Sequence, residues 1–120
     1  MRSASGLEGG CEEDMFAVIY RWQVVPGLEA QFEQGWARGT ERIAAEFNGW
    51  GSRLHKGEGQ TYFAYAQWPD RATWEKALET RMRHSDDEAR KMYRDAIVEG
   101  TFETVFAGEV VSDLLEQRRA

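Results

Sequence analysis

Gly49-Trp50-Gly51-Ser52-Arg53-Leu54-His55-Lys56, Gly57-Glu58-Gly59-Gln60, Thr61-Tyr62-Phe63-Ala64-Tyr65-Ala66-Gln67-Trp68 and Pro69-Asp70-Arg71-Ala72-Thr73-Trp74 follow one another through the middle of the chain. The glycines at 57 and 59 mark a hairpin turn, so Trp50 to Lys56 and Thr61 to Trp68 are predicted as paired antiparallel strands. Pro69-Asp70 then suits the start of a helix, where proline's missing N–H costs nothing and a carboxylate can cap. Strand, turn, strand, helix in this order excludes an all-helical domain. The stretch also holds three of the five tryptophans and one of the two histidines.

Upstream, Phe16 to Val24 reads as a strand stopped by Val25-Pro26-Gly27. Its even positions (Phe16, Val18, Tyr20, Trp22, Val24) are all bulky, which predicts that this face meets helices. Leu28, Phe32, Trp36, Ile43 and Phe47 then recur at helical spacing and predict one amphipathic helix from Gly27 to Phe47, ended by Asn48-Gly49. Gly35 and Gly39, four apart at the edge of that stripe, have two readings: close packing on the sheet, or room for a ligand.

Downstream of Pro69, Trp74, Ala77, Leu78 and Met82 keep one helical face apolar. Ser85-Asp86-Asp87-Glu88 matches a capping box, predicting a break near His84 and a third helix whose buried stripe is Ala89, Met92, Tyr93, Ala96 and Ile97. Phe102 to Val111 is the last strand. The order βαββαβ predicts an α+β, ferredoxin-like sandwich, an antiparallel sheet with helices on one face and strands one and three at its centre. Ile19, Val105, Ala107 and one aromatic row of strand three would project from the other face, which predicts a homodimer with sheet against sheet. The alternative cover is the C-terminal tail and a few loops. The expected divisions are a disordered leader at 1–14, the domain at 15–111 and a tail at 112–120.

Bulk properties narrow the function. A chain of 120 residues supports one domain with a modest core, and a net charge of −6 with only two basic doublets, Arg90-Lys91 and Arg118-Arg119, argues against nucleic acid as a partner. No apolar stretch addresses a membrane. Cys11, the single cysteine, permits neither a disulfide framework nor a cysteine metal site, and a reducing cytoplasmic compartment is the expectation.

Several side chains carry chemistry, each with a second reading. Arg53 and His55 share one face of strand two; they are base and oxyanion partner, or two polar groups facing solvent or a dimer partner. Tyr20 points to the helix side, where its hydroxyl needs a ligand or a protein partner. Trp36, Trp74 and Tyr93 wall an aromatic pocket or fill the core, and Tyr65 belongs to an aromatic row of strand three. His84, at the helix break, is a ligand or a helix-dipole partner. Asp86-Asp87-Glu88 is explained by capping without a cation.

Val24-Val25-Pro26-Gly27 before an amphipathic helix, Gly51-Ser52-Arg53-Leu54-His55, and Tyr65-Ala66-Gln67-Trp68-Pro69-Asp70-Arg71-Ala72-Thr73-Trp74 together resemble the antibiotic biosynthesis monooxygenase-like family of the dimeric α/β-barrel superfamily, over roughly Phe16 to Val111. The resemblance implies a pocket between sheet and helices in each subunit of a dimer. It also implies oxygenation of a phenolic or quinol-like small aromatic molecule with neither metal nor flavin. Under it, His55, Arg53 and Tyr20 are the expected catalytic residues, and Trp36, Trp74, Tyr65, Tyr93 and His84 the expected substrate-binding ones. The second class of function is a non-catalytic ligand-binding or stress-responsive barrel. A haem-degrading branch uses asparagine, tryptophan and histidine at positions that fall here on Tyr20, Ala77 and near Asp87. That triad is missing, and His84 is three residues away.

Overall fold

A computed structural model of the protein describes residues 15–116, so the expected leader and the last residues of the expected tail lie outside it. Among the described residues the elements are β1 (Phe16–Gln23), α1 (Glu29–Phe47), β2 (Ser52–Lys56), β3 (Thr61–Trp68), α2 (Arg71–Glu79), α3 (Asp87–Asp95) and β4 (Glu103–Glu109). The strands form one antiparallel sheet in the order β2-β3-β1-β4. This is the ferredoxin-like arrangement, with the two most apolar strands at the centre.

Alternation along β1 and β3 decides where the core lies. Phe16, Val18, Tyr20 and Trp22 pair with Trp68, Ala66, Ala64 and Tyr62, and all eight are buried beneath the helices. Large residues close the two ends of the β3 face, whereas Ala64 and Ala66 leave its middle low. From α1, the fully buried Phe32 inserts between Trp22, Tyr62 and Tyr93, with ring centroids 5.5, 5.1 and 5.8 Å away. Leu28, Trp36, Ile43 and Phe47 pack around the same core, as the helical stripe predicts.

Gly35 is where α1 meets α3. A β-carbon there would lie 2.7 Å from the Tyr93 backbone nitrogen and 3.0 Å from the Ala89 carbonyl oxygen. Glycine costs about 0.5–1 kcal/mol in a helix interior, so its use here reflects the backbone-to-backbone approach it permits. The close packing expected at Gly35 and Gly39 is therefore against α3 and the loop before it, not against the sheet.

Other sequence expectations shift. α2 ends at Glu79 rather than near His84, because Arg81 and Met82 both adopt left-handed backbone angles (φ 59° and 50°) and turn the chain early. The cap of α3 is Asp86, whose side chain accepts from Ala89 N at 3.0 Å, while the Ser85 hydroxyl donates instead to Glu46. In β4 a bulge moves the pairing from Ile19↔Phe106 to Tyr20↔Thr104. Ala107 consequently pairs with Val18 and packs on the core side, and Phe106 takes the open face beside Ile19.

Candidate functional site

A cavity of about 530 Å³ occupies the dip above Ala64 and Ala66, roofed by α1, α3 and the 81–84 turn. Its size falls within the range of about 300–1,000 Å³ usual for small-molecule sites. Tyr20, Trp22, Trp68 and Phe102 supply aromatic walls from the sheet side, and Trp36 and Tyr93 from the helices. Gly35, Gly39, Gly49 and Gly51 are also among its lining residues.

Two tyrosines give the cavity its polarity. Trp74 Nε1 donates to the Tyr20 hydroxyl at 2.9 Å, and Trp22 Nε1 donates to the Tyr93 hydroxyl at 2.7 Å. An indole can only donate, so each phenol oxygen is used as an acceptor and its own proton is left to donate elsewhere. Burial pushes the Tyr20 pKa up to about 12 and raises that of Tyr93 as well, against the smaller opposing effect of the indole donors. Both phenols therefore stay protonated at neutral pH, and each has an O–H available to donate. Trp68 Nε1, in the same wall, is buried with no partner among the described residues.

His84 lies at the cavity edge, 6% exposed, with Nε2 against Gly39. The backbone N–H of Asp86 donates to Nδ1 at 3.2 Å, which places the proton of the neutral ring on Nε2. Burial, and secondarily the Arg90 cation, hold the imidazole pKa below its ordinary 6.5. Under the linkage sign, the unfolded chain takes up a proton below that value which the folded chain resists, so folding stability falls as pH drops through about 6.5. Urea midpoints at about pH 7.5 and 5.5 should show this fall in the parent protein and a smaller one in His84→Gln, because only the parent has the buried imidazole to charge.

The segment carrying His84 is fixed from both sides. Arg38 on α1 clamps Asp86 through two hydrogen bonds, of 2.8 and 3.0 Å, and Arg90 Nε donates to the His84 carbonyl at 3.1 Å. This anchors the start of α3 and with it the position of Tyr93.

Of the residues singled out from sequence, the cavity brings together Tyr20, Trp36, Tyr93 and His84. Trp74 stands behind Tyr20 as its hydrogen-bond donor. Arg53, His55 and Tyr65 project from the opposite face of the sheet, since Arg53 pairs with Tyr65 and His55 with Phe63, in rungs that alternate with those of buried Tyr62, Ala64 and Ala66. Leu54, alternating between Arg53 and His55, marks the core side of this strand and was the available signal. Trp22, Trp68, Phe102, Arg81 and Arg83 line the cavity without having been singled out for it. Trp22 was foreseeable, because it shares the parity of Tyr20. Among the described residues no group of His, Cys, Asp or Glu is placed to hold a metal ion, and no helix is long and apolar enough to cross a membrane.

No protein-family profile matches the chain, and no curated protein matches it either. Solved structures do. SnoaB, a cofactor-independent oxygenase from Streptomyces nogalater, is 20% identical with a TM-score of 0.62, covering 86% of this chain and 99% of that one. A candidate antibiotic biosynthesis monooxygenase from Bordetella bronchiseptica is 21% identical with a TM-score of 0.60, covering 82% and 99%. A protein of unknown function from Nitrosomonas europaea is 16% identical with a TM-score of 0.63, covering 90% and 100%.

Proposed function

We propose that the protein is a member of the antibiotic biosynthesis monooxygenase-like group that oxidises a phenolic or quinol-like aromatic molecule with dioxygen, without metal or flavin. The fold it shares with such proteins supports the reading, but the observation that carries it is the cavity itself: aromatic walls, the hydroxyls of buried Tyr20 and partly buried Tyr93, and no carboxylate among the lining residues. A planar ring stacks in such a space. Tyr20 and Tyr93 donate to its oxygen and favour the enolate form, in which the negative charge is shared with a ring carbon. That carbon transfers an electron to dioxygen and forms a C–O bond. Loss of water from the peroxide turns a ring CH₂ into C=O, so that CH₂ and O₂ give C=O and H₂O. The phenol's proton leaves to water on the open side of the cavity, and the Nε2–H of His84 at the cavity edge can donate to the peroxide as it forms.

The partner is a second copy of the chain. Ile19, Phe63, Tyr65 and Phe106 share the open sheet face, and Phe106 is 52% exposed, a large apolar surface for an isolated domain. Arg53 and His55 lie at its edge, at the dimer seam rather than in the cavity. Sedimentation at micromolar concentration should give a mass of twice 13.8 kDa; a mass of one chain contradicts the pairing.

Oxygen uptake that requires both the protein and a phenolic substrate tests the catalytic reading. Saturable binding of the same compounds with no uptake favours the second class, a non-catalytic ligand-binding or stress-responsive barrel. Haem degradation has least support, since Tyr20, Ala77 and Asp87 stand where its side chains are needed.

A further inference from the structure

The solvent side of the cavity is cationic in an acidic protein. Arg81, Arg83, Arg90 and Arg94 are among its lining residues, and no aspartate or glutamate is. Of these, Arg90 is paired with Asp87, while the other nearby carboxylates are engaged elsewhere: Asp86 by Arg38, Glu46 by Arg42 and Asp95 by Lys91. Arg94 makes only a 3.9 Å contact with Asp95. Arg81 and Arg83 have no ion-pair partner among the described residues. Arg81 and Arg83 thus stand unpaired side by side in the lining of one cavity, in a chain with 21 acidic residues against 15 Lys and Arg.

The backbone beneath them is also unusual. Arg81 and Met82 are consecutive non-glycine residues in the left-handed region, a conformation that β-carbons disfavour and that is retained where surrounding structure holds it. Here Met82 N donates to the Ala77 carbonyl at 3.0 Å, Arg81 N to that of Leu78 at 2.8 Å, and the Met82 side chain packs on the core. The turn ties the chain down at Met82 and sets Arg81 and Arg83 on either side of it at the cavity wall.

We infer that the ligand of this cavity is an anionic aromatic, a planar phenol bearing a ring carboxylate, whose ring lies against Tyr20 and Tyr93 and whose carboxylate meets Arg81 and Arg83 at the opening. The inference rests on the proposed use of the cavity for a phenolic ring and adds the charge of the ligand. Guanidinium groups match carboxylate geometry by paired N–H donors, and an exposed pair adds selectivity without demanding full burial.

The test is calorimetric titration of the full chain with 6-hydroxy-2-naphthoate and with its neutral carboxamide. The carboxylate should bind about tenfold more tightly at low salt, and that preference should shrink as salt rises from about 0.05 to 0.5 M. Arg81→Gln/Arg83→Gln should remove the preference, whereas Lys91→Gln, which deletes a charge on α3 outside the lining, should keep it. Arg81→Gly guards against misfolding as the cause: glycine accepts the left-handed angle freely, so this variant should melt no lower than the parent yet lose most of the preference. Equal binding of both compounds overturns the anionic assignment and leaves the aromatic cavity standing. Binding of neither overturns both.

Discussion

Tyr20→Phe is expected to lower kcat for the proposed oxidation by about 10²–10³-fold, the usual cost of removing one donor from a developing oxyanion. The change keeps the ring contacts with Phe102 and Trp22, at 5.4 and 6.1 Å between centroids, so the wall of the cavity is preserved. What it removes is the hydroxyl that accepts from Trp74, together with the O–H proton it offers to a ligand in the proposed reaction. It also leaves the Trp74 indole N–H buried without an acceptor, a penalty of about 1–3 kcal/mol in stability, so the urea midpoint must be measured beside the rate. Trp74→Phe separates the two effects: it removes the indole donor but keeps the Tyr20 hydroxyl, and should retain most of kcat while losing comparable stability. Equal rates in Tyr20→Phe and the parent would mean that Tyr20 serves only the core.

Phe32→Ala should destabilise the domain by about 3–5 kcal/mol, toward the upper end of that range, since the ring is fully buried and three aromatic partners converge on it. A domain of this size has roughly 5–15 kcal/mol in total, so the loss is about a fifth or more of what holds it folded. With a urea slope of about 1–3 kcal/mol/M, the midpoint should fall by more than about 1 M. Phe32 also ties α1 to the Trp22–Tyr93 pair, so the variant should bind phenols more weakly even where it remains folded. A loss below about 1 kcal/mol would contradict a core centred on this residue.

Much of this architecture was legible because the strongest signals are periodic. Bulky even positions in β1, a helical stripe through Phe32 and Trp36, and a glycine-bearing turn before Thr61 each specify an element, and their order leaves few topologies. The departures have local causes. The early end of α2 depends on Arg81 and Met82 in left-handed conformations, and neither residue type announces such a turn as glycine or asparagine does. The side taken by Ala107 depends on a bulge opposite β1, which reverses parity without a sequence mark.

The site was harder to read than the fold. Tyr20, Trp36 and Tyr93 were accessible as inward positions on their elements, and His84 drew notice only as a histidine at a helix break. The open cavity itself follows from the low middle of β3, where Ala64 and Ala66 sit opposite Tyr20 and Val18. Arg53 and His55 looked functional because they share a face; Leu54 between them shows that it is the face turned away from the cavity.

The most direct test of the proposed oxygenation is mass spectrometry of the product formed under ¹⁸O₂ from a phenolic substrate that the protein binds. One labelled oxygen is expected in the product, at a rate that depends on protein concentration and is lost in Tyr20→Phe. An unlabelled product, or saturable binding with no product above the uncatalysed background, would contradict the oxygenation and leave the cavity as a binding site alone.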